Sequence, residues 1–210
     1  MNHLLEKDSL LTWENYLEYG KRQFYKEKSI IFRQGEVGNG FYYVEKGLIK
    51  IVSEKSNQKE RILDIVGSGF IIGEQAFDDL PYYSTSISHM NSVLYYFSKN
   101  DIEQLTQKDP NMIVLLAQSL FLKEKLLLNN INTTSADTQY QIAYSLLYLM
   151  DCYQSNEINF TQQELSFYVG LTRITVYKVL KEWTDEGIVS IKNRKINIIN
   201  PEALKEKLLY

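Results

Sequence analysis

Cysteine is nearly absent from this sequence: its 210 residues contain one, Cys152. One thiol excludes an intrachain disulfide and a cluster held by several thiolates. Cys152 falls in an apolar helical pattern and reads as a small buried hydrophobe. No apolar run approaches the ~20 residues that span a bilayer, so no membrane partner is expected. The start, MNHLLEKDSLL, carries charge where a secretory signal needs an apolar core, and the expected location is the cytoplasm. Strong basicity is also missing. The net charge is −3, so bulk charge does not announce a nucleic-acid partner. Glycine is missing from one long stretch: eight of the ten glycines lie from Gly20 to Gly73, and none lies between Gly73 and Gly170.

That uneven glycine usage divides the chain. The first half has short alternating segments with Gly breaks, as in FYYVEKGLIKIVSEK (41–55), RILDIVGSGFIIGE (61–74) and STSISHMNSVLYYFSK (84–99). Such segments read as strands of a small antiparallel roll or barrel. From Asn100, expected to cap a short helix, the period becomes helical, and Pro110 suits the first turn of a longer helix. Two apolar stripes follow. One is a heptad seam of Ile113, Leu116, Leu120, Lys123, Leu127 and Asn130, and the other is Met112, Leu115, Ser119, Leu122 and Leu126. A helix with two stripes has two surfaces to bury, here its own roll and a partner copy. The alternative is one helix buried all round in a monomeric core. NNINTTSAD (129–137) reads as a polar boundary, and TQYQIAYSLLYLMDCY as another amphipathic helix.

The strongest signal is FTQQELSFYVGLTRITVYKVLKEWTDEGIVSIKNRKINII (160–199). Thr161 with Glu164 has capping-box spacing. Leu165 and Val169 face inward, Gly170 permits a sharp turn, and Thr172 caps a second helix with Val176, Leu180 and Trp183 on its buried side. IVSI and INII then flank a KNRK turn. A helix pair of this kind can be purely structural, but helix, tight turn, helix and basic-tipped hairpin together match a winged helix-turn-helix. Residues 161–200 hold six Lys/Arg against four acids. The first turns of the second helix offer Thr172, Arg173, Thr175, Tyr177 and Lys178 to base edges. Arginine can bridge guanine O6 and N7, a threonine methyl can touch thymine, and Ile174 can make only apolar contacts. Thr161, Gln162, Lys192, Arg194 and Lys195 can hold phosphates.

With these residues in place, the chain from about residue 20 to 200 resembles the Crp/Fnr superfamily of transcription regulators. IIFRQGEVGNGFYYVEKGLIKI is similar to that family's β-roll start, DIVGSGFIIGEQAF to the segment entering its effector pocket, and the helix from Pro110 to its dimerisation helix. The resemblance implies an α+β protein: an antiparallel, cyclic-nucleotide-binding-like jelly roll over residues 1–108, a dimerisation helix over 109–134, and a winged helix-turn-helix over 135–210. It implies a homodimer on a palindromic double-stranded DNA operator, with RNA polymerase as a further partner. The dimer contacts would be Ile113, Leu116, Leu120 and Leu127.

The resemblance places an effector pocket at Gly73, Glu74, Tyr83, Ser84 and Leu127. Relatives that bind cyclic nucleotides carry an arginine where Tyr83 aligns, and hydroxyls where Leu126, Leu127 and Leu128 stand. A phosphate there would have no counter-charge. The expectation is therefore a regulator that does not answer to cyclic AMP. An iron–sulfur sensor lacks its cysteines, and a haem sensor would have only His3 or His89, of which His89 reads as a packed or surface residue. No cofactor or metal is expected; an effector, if one exists, would be small and apolar or aromatic. Two other classes remain open at this level. One is a cyclic-nucleotide or metabolite-binding module whose C-terminal helices contact protein rather than DNA. The other, an enzyme, rests on Glu74 near Asp78 and Asp79, which no nucleophile–base pair accompanies.

Overall fold

The structure is a computed structural model that describes residues 12–54, 60–78 and 80–209. The charged start at residues 1–11 and Asp79 lie outside the described residues. A 3-10 helix, Trp13–Tyr19, leads into β1 (Lys21–Tyr25), β2 (Ile30–Phe32), β3 (Gly40–Lys46), β4 (Ile49–Glu54), β5 (Glu60–Val66) and β6 (Ile71–Ile72). A second 3-10 helix, Glu74–Asp78, precedes β7 (Thr85–Ser88) and β8 (Ser92–Ser98). These strands form two antiparallel four-stranded sheets, ordered β1-β8-β3-β6 and β2-β7-β4-β5. The alternation noted in the sequence has a direct outcome here. Tyr42 and Val44 of β3 point between the sheets, toward Phe32, Ile49 and Leu94, whereas Phe41 and Tyr43 point outward under Trp13.

The helical half begins with α1 (Lys99–Lys108) and α2 (Asn111–Thr134). Ser98, not Asn100, caps α1. Its hydroxyl accepts from Asp101 N–H at 3.2 Å while Asp101 Oδ2 accepts from Ser98 N–H at 2.9 Å. The reciprocal bond to Asp101 selects the earlier start. The predicted polar boundary at 129–137 is also shorter than expected, because α2 runs on through Thr134. Thr133 and Thr134 return their hydroxyls to the backbone carbonyls of Asn129 and Ile131, so these residues extend the helix instead of ending it.

Beyond α2 come α3 (Thr138–Tyr153), β9 (Glu157–Ile158), α4 (Gln162–Val169), α5 (Arg173–Asp185), β10 (Val189–Lys192), β11 (Lys195–Ile198) and α6 (Pro201–Glu206). One continuous apolar core joins Leu146 and Leu149 of α3 to Leu165, Val176, Leu180 and Trp183, and reaches into the roll at Leu48, Val52, Ile62 and Ile65. The C-terminal unit is thus seated on the outer face of β4 and β5. Polar contacts fasten the same junction. Tyr148 Oη donates to the Ile65 carbonyl at 3.2 Å, and Lys50 Nζ lies 3.4 Å from Glu164 Oε1. His89 Nε2 meets Tyr153 Oη and the Asn159 carbonyl, the latter at 3.1 Å. His89 is accordingly a packed residue, and burial lowers its pKa against the opposing pull of Glu164. Cys152 is partly buried at this junction, where burial pushes its thiol up to about 12 and leaves it unreactive.

Candidate nucleic-acid interface

The capping box that opens α4 is present. Thr161 Oγ1 accepts from Glu164 N–H at 3.1 Å, and Glu164 Oε2 accepts from Thr161 N–H at 3.0 Å. Burial raises the Glu164 pKa, but the Thr161 N–H and Lys50 outweigh it and hold the carboxylate below its usual value. Thr161 also donates its hydroxyl to Glu164 at 3.0 Å. The one proton of the hydroxyl that the sequence offers to a phosphate is thus given to Glu164 within the cap. Gln162 beside it is partly exposed.

Gly170 turns the chain with φ 75, a left-handed value that favours glycine over any residue with a Cβ, and α5 starts two residues later. Thr172 accepts from Thr175 N–H at 3.1 Å, and the two hydroxyls lie 2.8 Å apart. The hydroxyls of these threonines, which the sequence offers to base edges, are bonded to each other and to the helix start. Val176, Val179, Leu180 and Trp183 are buried. The opposite face carries Arg173, Ile174, Tyr177, Lys178 and Lys181, all exposed. These five residues recur at helical spacing and present one unobstructed surface.

β10 and β11 pair in register from Val189↔Ile198 to Lys192↔Lys195. Asn193 and Arg194 at the tip have φ 50 and 65, the two successive left-handed residues of a tight hairpin turn. Lys192 and Arg194 are exposed there. Lys195 differs: its Nζ lies 2.6 Å from Glu157 Oε1, so its charge is already partnered. That pairing follows from β9, a two-residue strand hydrogen-bonded to β11, which the sequence reading missed. The Glu157–Ile158 pair is too short to give a periodic signal.

The expected effector pocket is brought together only in part. Gly73 has φ 80, and a Cβ built on it would lie 3.1 Å from Phe32 and 3.4 Å from Tyr82. The Phe32 and Tyr82 rings stack with centroids 4.0 Å apart, directly over that backbone. Glu74 is ion-paired to Lys123 of α2. Ser84 is buried, but Tyr83 is 56% exposed and Leu127 60% exposed, so neither faces the roll interior. In the first case the chain bends at Tyr83 and Ser84 just before β7, and this bend leaves Tyr83 outside while Tyr82 and Ser84 are buried. The helical period decides the second, since Leu126, one position away, takes the buried side.

On α2, Met112, Leu115 and Leu126 are buried against the roll. Ile113, Leu120 and Leu127 are exposed, as are Val114, Phe121, Leu128 and Ile131. Leu116 instead packs against the cluster that includes Trp13, Phe41, Ile71 and Ile102, and Lys123 turns to Glu74. The outward apolar face is therefore rotated from the predicted seam. It follows Ile113, Leu120 and Leu127 together with Val114, Phe121 and Leu128, each series at intervals of seven.

Comparison with known proteins agrees with this architecture. The cyclic nucleotide-binding domain family matches residues 22–109, and the Crp-like helix-turn-helix domain family matches residues 141–207. The "cAMP-activated global transcriptional regulator CRP" of Salmonella typhimurium is 26% identical over 200 residues, covering 91% of this chain and 94% of the relative. Among solved structures, a CRP/FNR-family transcriptional regulator of Thermus thermophilus superposes with a TM-score of 0.80 at 23% identity, covering 90% of this chain and 99% of the other. The c-di-GMP responsive global regulator CLP of Xanthomonas campestris superposes with a TM-score of 0.71, also at 23% identity, covering 88% and 96%.

Proposed function

Because the chain belongs to the Crp/Fnr superfamily of DNA-binding transcription regulators, we propose that it acts as a cytoplasmic homodimer on a palindromic operator and does not respond to cyclic AMP. In this reading residues 1–108 form the roll, 109–134 the dimerisation helix and 135–210 the DNA-binding unit. RNA polymerase is the natural further partner, and no catalytic role is assigned. The observation that carries DNA binding is the outward face of α5 with Arg173, Lys178 and Lys181, next to a hairpin tip with Lys192 and Arg194. In this reading α5 enters a major groove and the hairpin tip rests on the flanking phosphates.

The dimer is supported by the exposed apolar face of α2, which has no partner among the described residues. A two-fold pair along that face would set two α5 helices about one DNA turn apart. Insensitivity to cyclic AMP is supported by the Phe32–Tyr82 stack over Gly73 and by the Lys123 ammonium at Glu74. A phosphate near Gly73 would meet two aromatic rings. If an effector exists, the surrounding tyrosines and phenylalanines favour a small aromatic or apolar one.

A gel-shift titration over increasing salt tests the proposal. Affinity should fall steeply, with log K linear in log salt, as phosphate neutralisation releases counterions. Binding to no duplex from a random pool, or binding indifferent to salt, overturns it.

A further inference from the structure

We propose that Ile174 is a base-reading residue whose side chain packs on a thymine methyl, so that each half-site carries one thymine recognised by its C5 methyl group. This rests on the DNA-binding reading above and assigns the chemistry of one position within it.

Ile174 is the most exposed large apolar residue of α5, at 69%, and the described residues leave it without cover. It is the second residue of the helix, in the first turn, and a helical side chain leans toward the N-terminal end, the end that enters a groove. The polar candidates around it are engaged: Thr172 and Thr175 hold each other and the cap. Within the first turn, Arg173 and Ile174 are the exposed side chains, whereas Thr175 is half-buried and Val176 buried. Tyr177, 50% exposed, lies three residues on and flanks Ile174 on the same face.

The surroundings determine the partner. Arg173 and Lys178 border Ile174, and Lys181 lies farther along the same face, so an apolar protein surface seated there would also bury cations without counter-charges. A major groove answers both demands at once. Phosphates line its walls, and the thymine methyl is the apolar group on its floor. Isoleucine neither donates nor accepts a hydrogen bond, so guanine, adenine and cytosine edges would lose solvation against it without compensation. Arg173, adjacent in sequence, can read a guanine O6 and N7 within the same half-site.

The test begins by selecting bound duplexes from a random pool, then replaces each thymine of the selected half-site by uracil, which removes only the methyl. For the unaltered chain, one position should lose about fourfold in affinity, the worth of burying one methyl-sized group at about 0.8 kcal/mol. Ile174→Ala should bind the thymine and uracil versions of that position equally. Lys192→Ala should bind both more weakly while keeping the fourfold difference. Indifference of the unaltered chain to uracil at every position, or an undiminished penalty in Ile174→Ala, overturns the assignment and leaves DNA binding intact. Recovery of no enriched sequence overturns the DNA-binding reading, and this assignment with it.

Discussion

Lys123, midway along α2, is ion-paired with Glu74 at the start of the second 3-10 helix, tying the long helix to the roll across 49 positions of sequence. Both side chains are largely shielded, with 26% and 18% of their surface exposed. Lys123→Met leaves the Glu74 carboxylate without its counter-charge. The expected loss of stability is about 1–2 kcal/mol, below the range for a fully buried pair because some water reaches this one. Urea unfolding measures it. The double replacement Lys123→Met with Glu74→Leu should recover most of the loss, since no charge is then stranded. An unchanged midpoint in the single variant would mean the pair contributes nothing.

Asp64, under Tyr148 at the junction of roll and helices, should give stability a pH dependence. Burial pushes its carboxyl up to about 6, against the opposing effects of the Ile65 N–H and Lys123. A carboxyl with a raised folded pKa is easier to ionise in the unfolded chain. Its favourable contribution is therefore complete below about pH 4 and lost as pH rises through about 6. Asp64→Asn, which stays neutral, should be more stable than the unaltered chain at pH 7, by about 1–3 kcal/mol. The gain should vanish near pH 4. Thermal unfolding at the two pH values checks it, and an equal effect at both refutes a desolvated carboxylate.

Cyclic AMP should produce no binding heat at micromolar protein. Tyr83→Arg should not create a site either, because Tyr83 faces solvent at 56% exposure and an arginine there would extend away from Gly73. Micromolar binding to either form, seen by calorimetry, would show that the Phe32–Tyr82 stack opens to admit the nucleotide.

Leu120→Asp should weaken self-association, because Leu120 is exposed at 47% in the middle of the outward apolar face of α2. Phe121→Asp, at 66% exposure, should do the same. Leu116→Ala should leave association nearly unchanged and lower monomer stability, since Leu116 packs on the Trp13 cluster. Light scattering at micromolar concentration separates these outcomes. Dimers that persist in both aspartate variants would place the contact elsewhere.

Arg173→Ala should cost roughly 1–3 kcal/mol and relax the choice at one base pair, the mark of a bidentate contact to guanine. Lys192→Ala should weaken all sequences alike and reduce the salt slope by about one. Lys195→Ala should change DNA affinity less than Lys192→Ala, because Lys195 is paired with Glu157. Competition binding against mismatched duplexes distinguishes the three. A uniform loss in Arg173→Ala would reassign that side chain to a phosphate.

The DNA-binding unit was legible because its signals are local. Thr161 with Glu164, Gly170, Thr172 and the inward series Val176, Leu180 and Trp183 all depend on neighbours within a turn or two of helix. The glycine-punctuated strands were legible for the same reason, since an alternating pattern with Gly breaks states its own period. The use of each side chain was less legible. Thr161, Thr172 and Thr175 have the chemistry of nucleic-acid contacts, and only the hydrogen bonds show that their hydroxyls serve the caps.

By itself the sequence determined which segments form strands and helices, where the helix-turn-helix lies, and that α2 carries two apolar stripes. Those outcomes follow from periodicity, capping and backbone freedom, which act over a few residues. Tertiary structure alone decided that Tyr82 and not Tyr83 fills the roll beside Gly73. It decided that Lys123 reaches Glu74 and leaves the helix seam, that Leu116 turns to the cluster around Phe41 and Ile102, and that Lys195 is held by a strand at Glu157. Each of these pairs residues far apart in the chain. Which of two adjacent side chains turns inward depends on the local path of the backbone and on helix rotation, and packing against the rest of the molecule sets both.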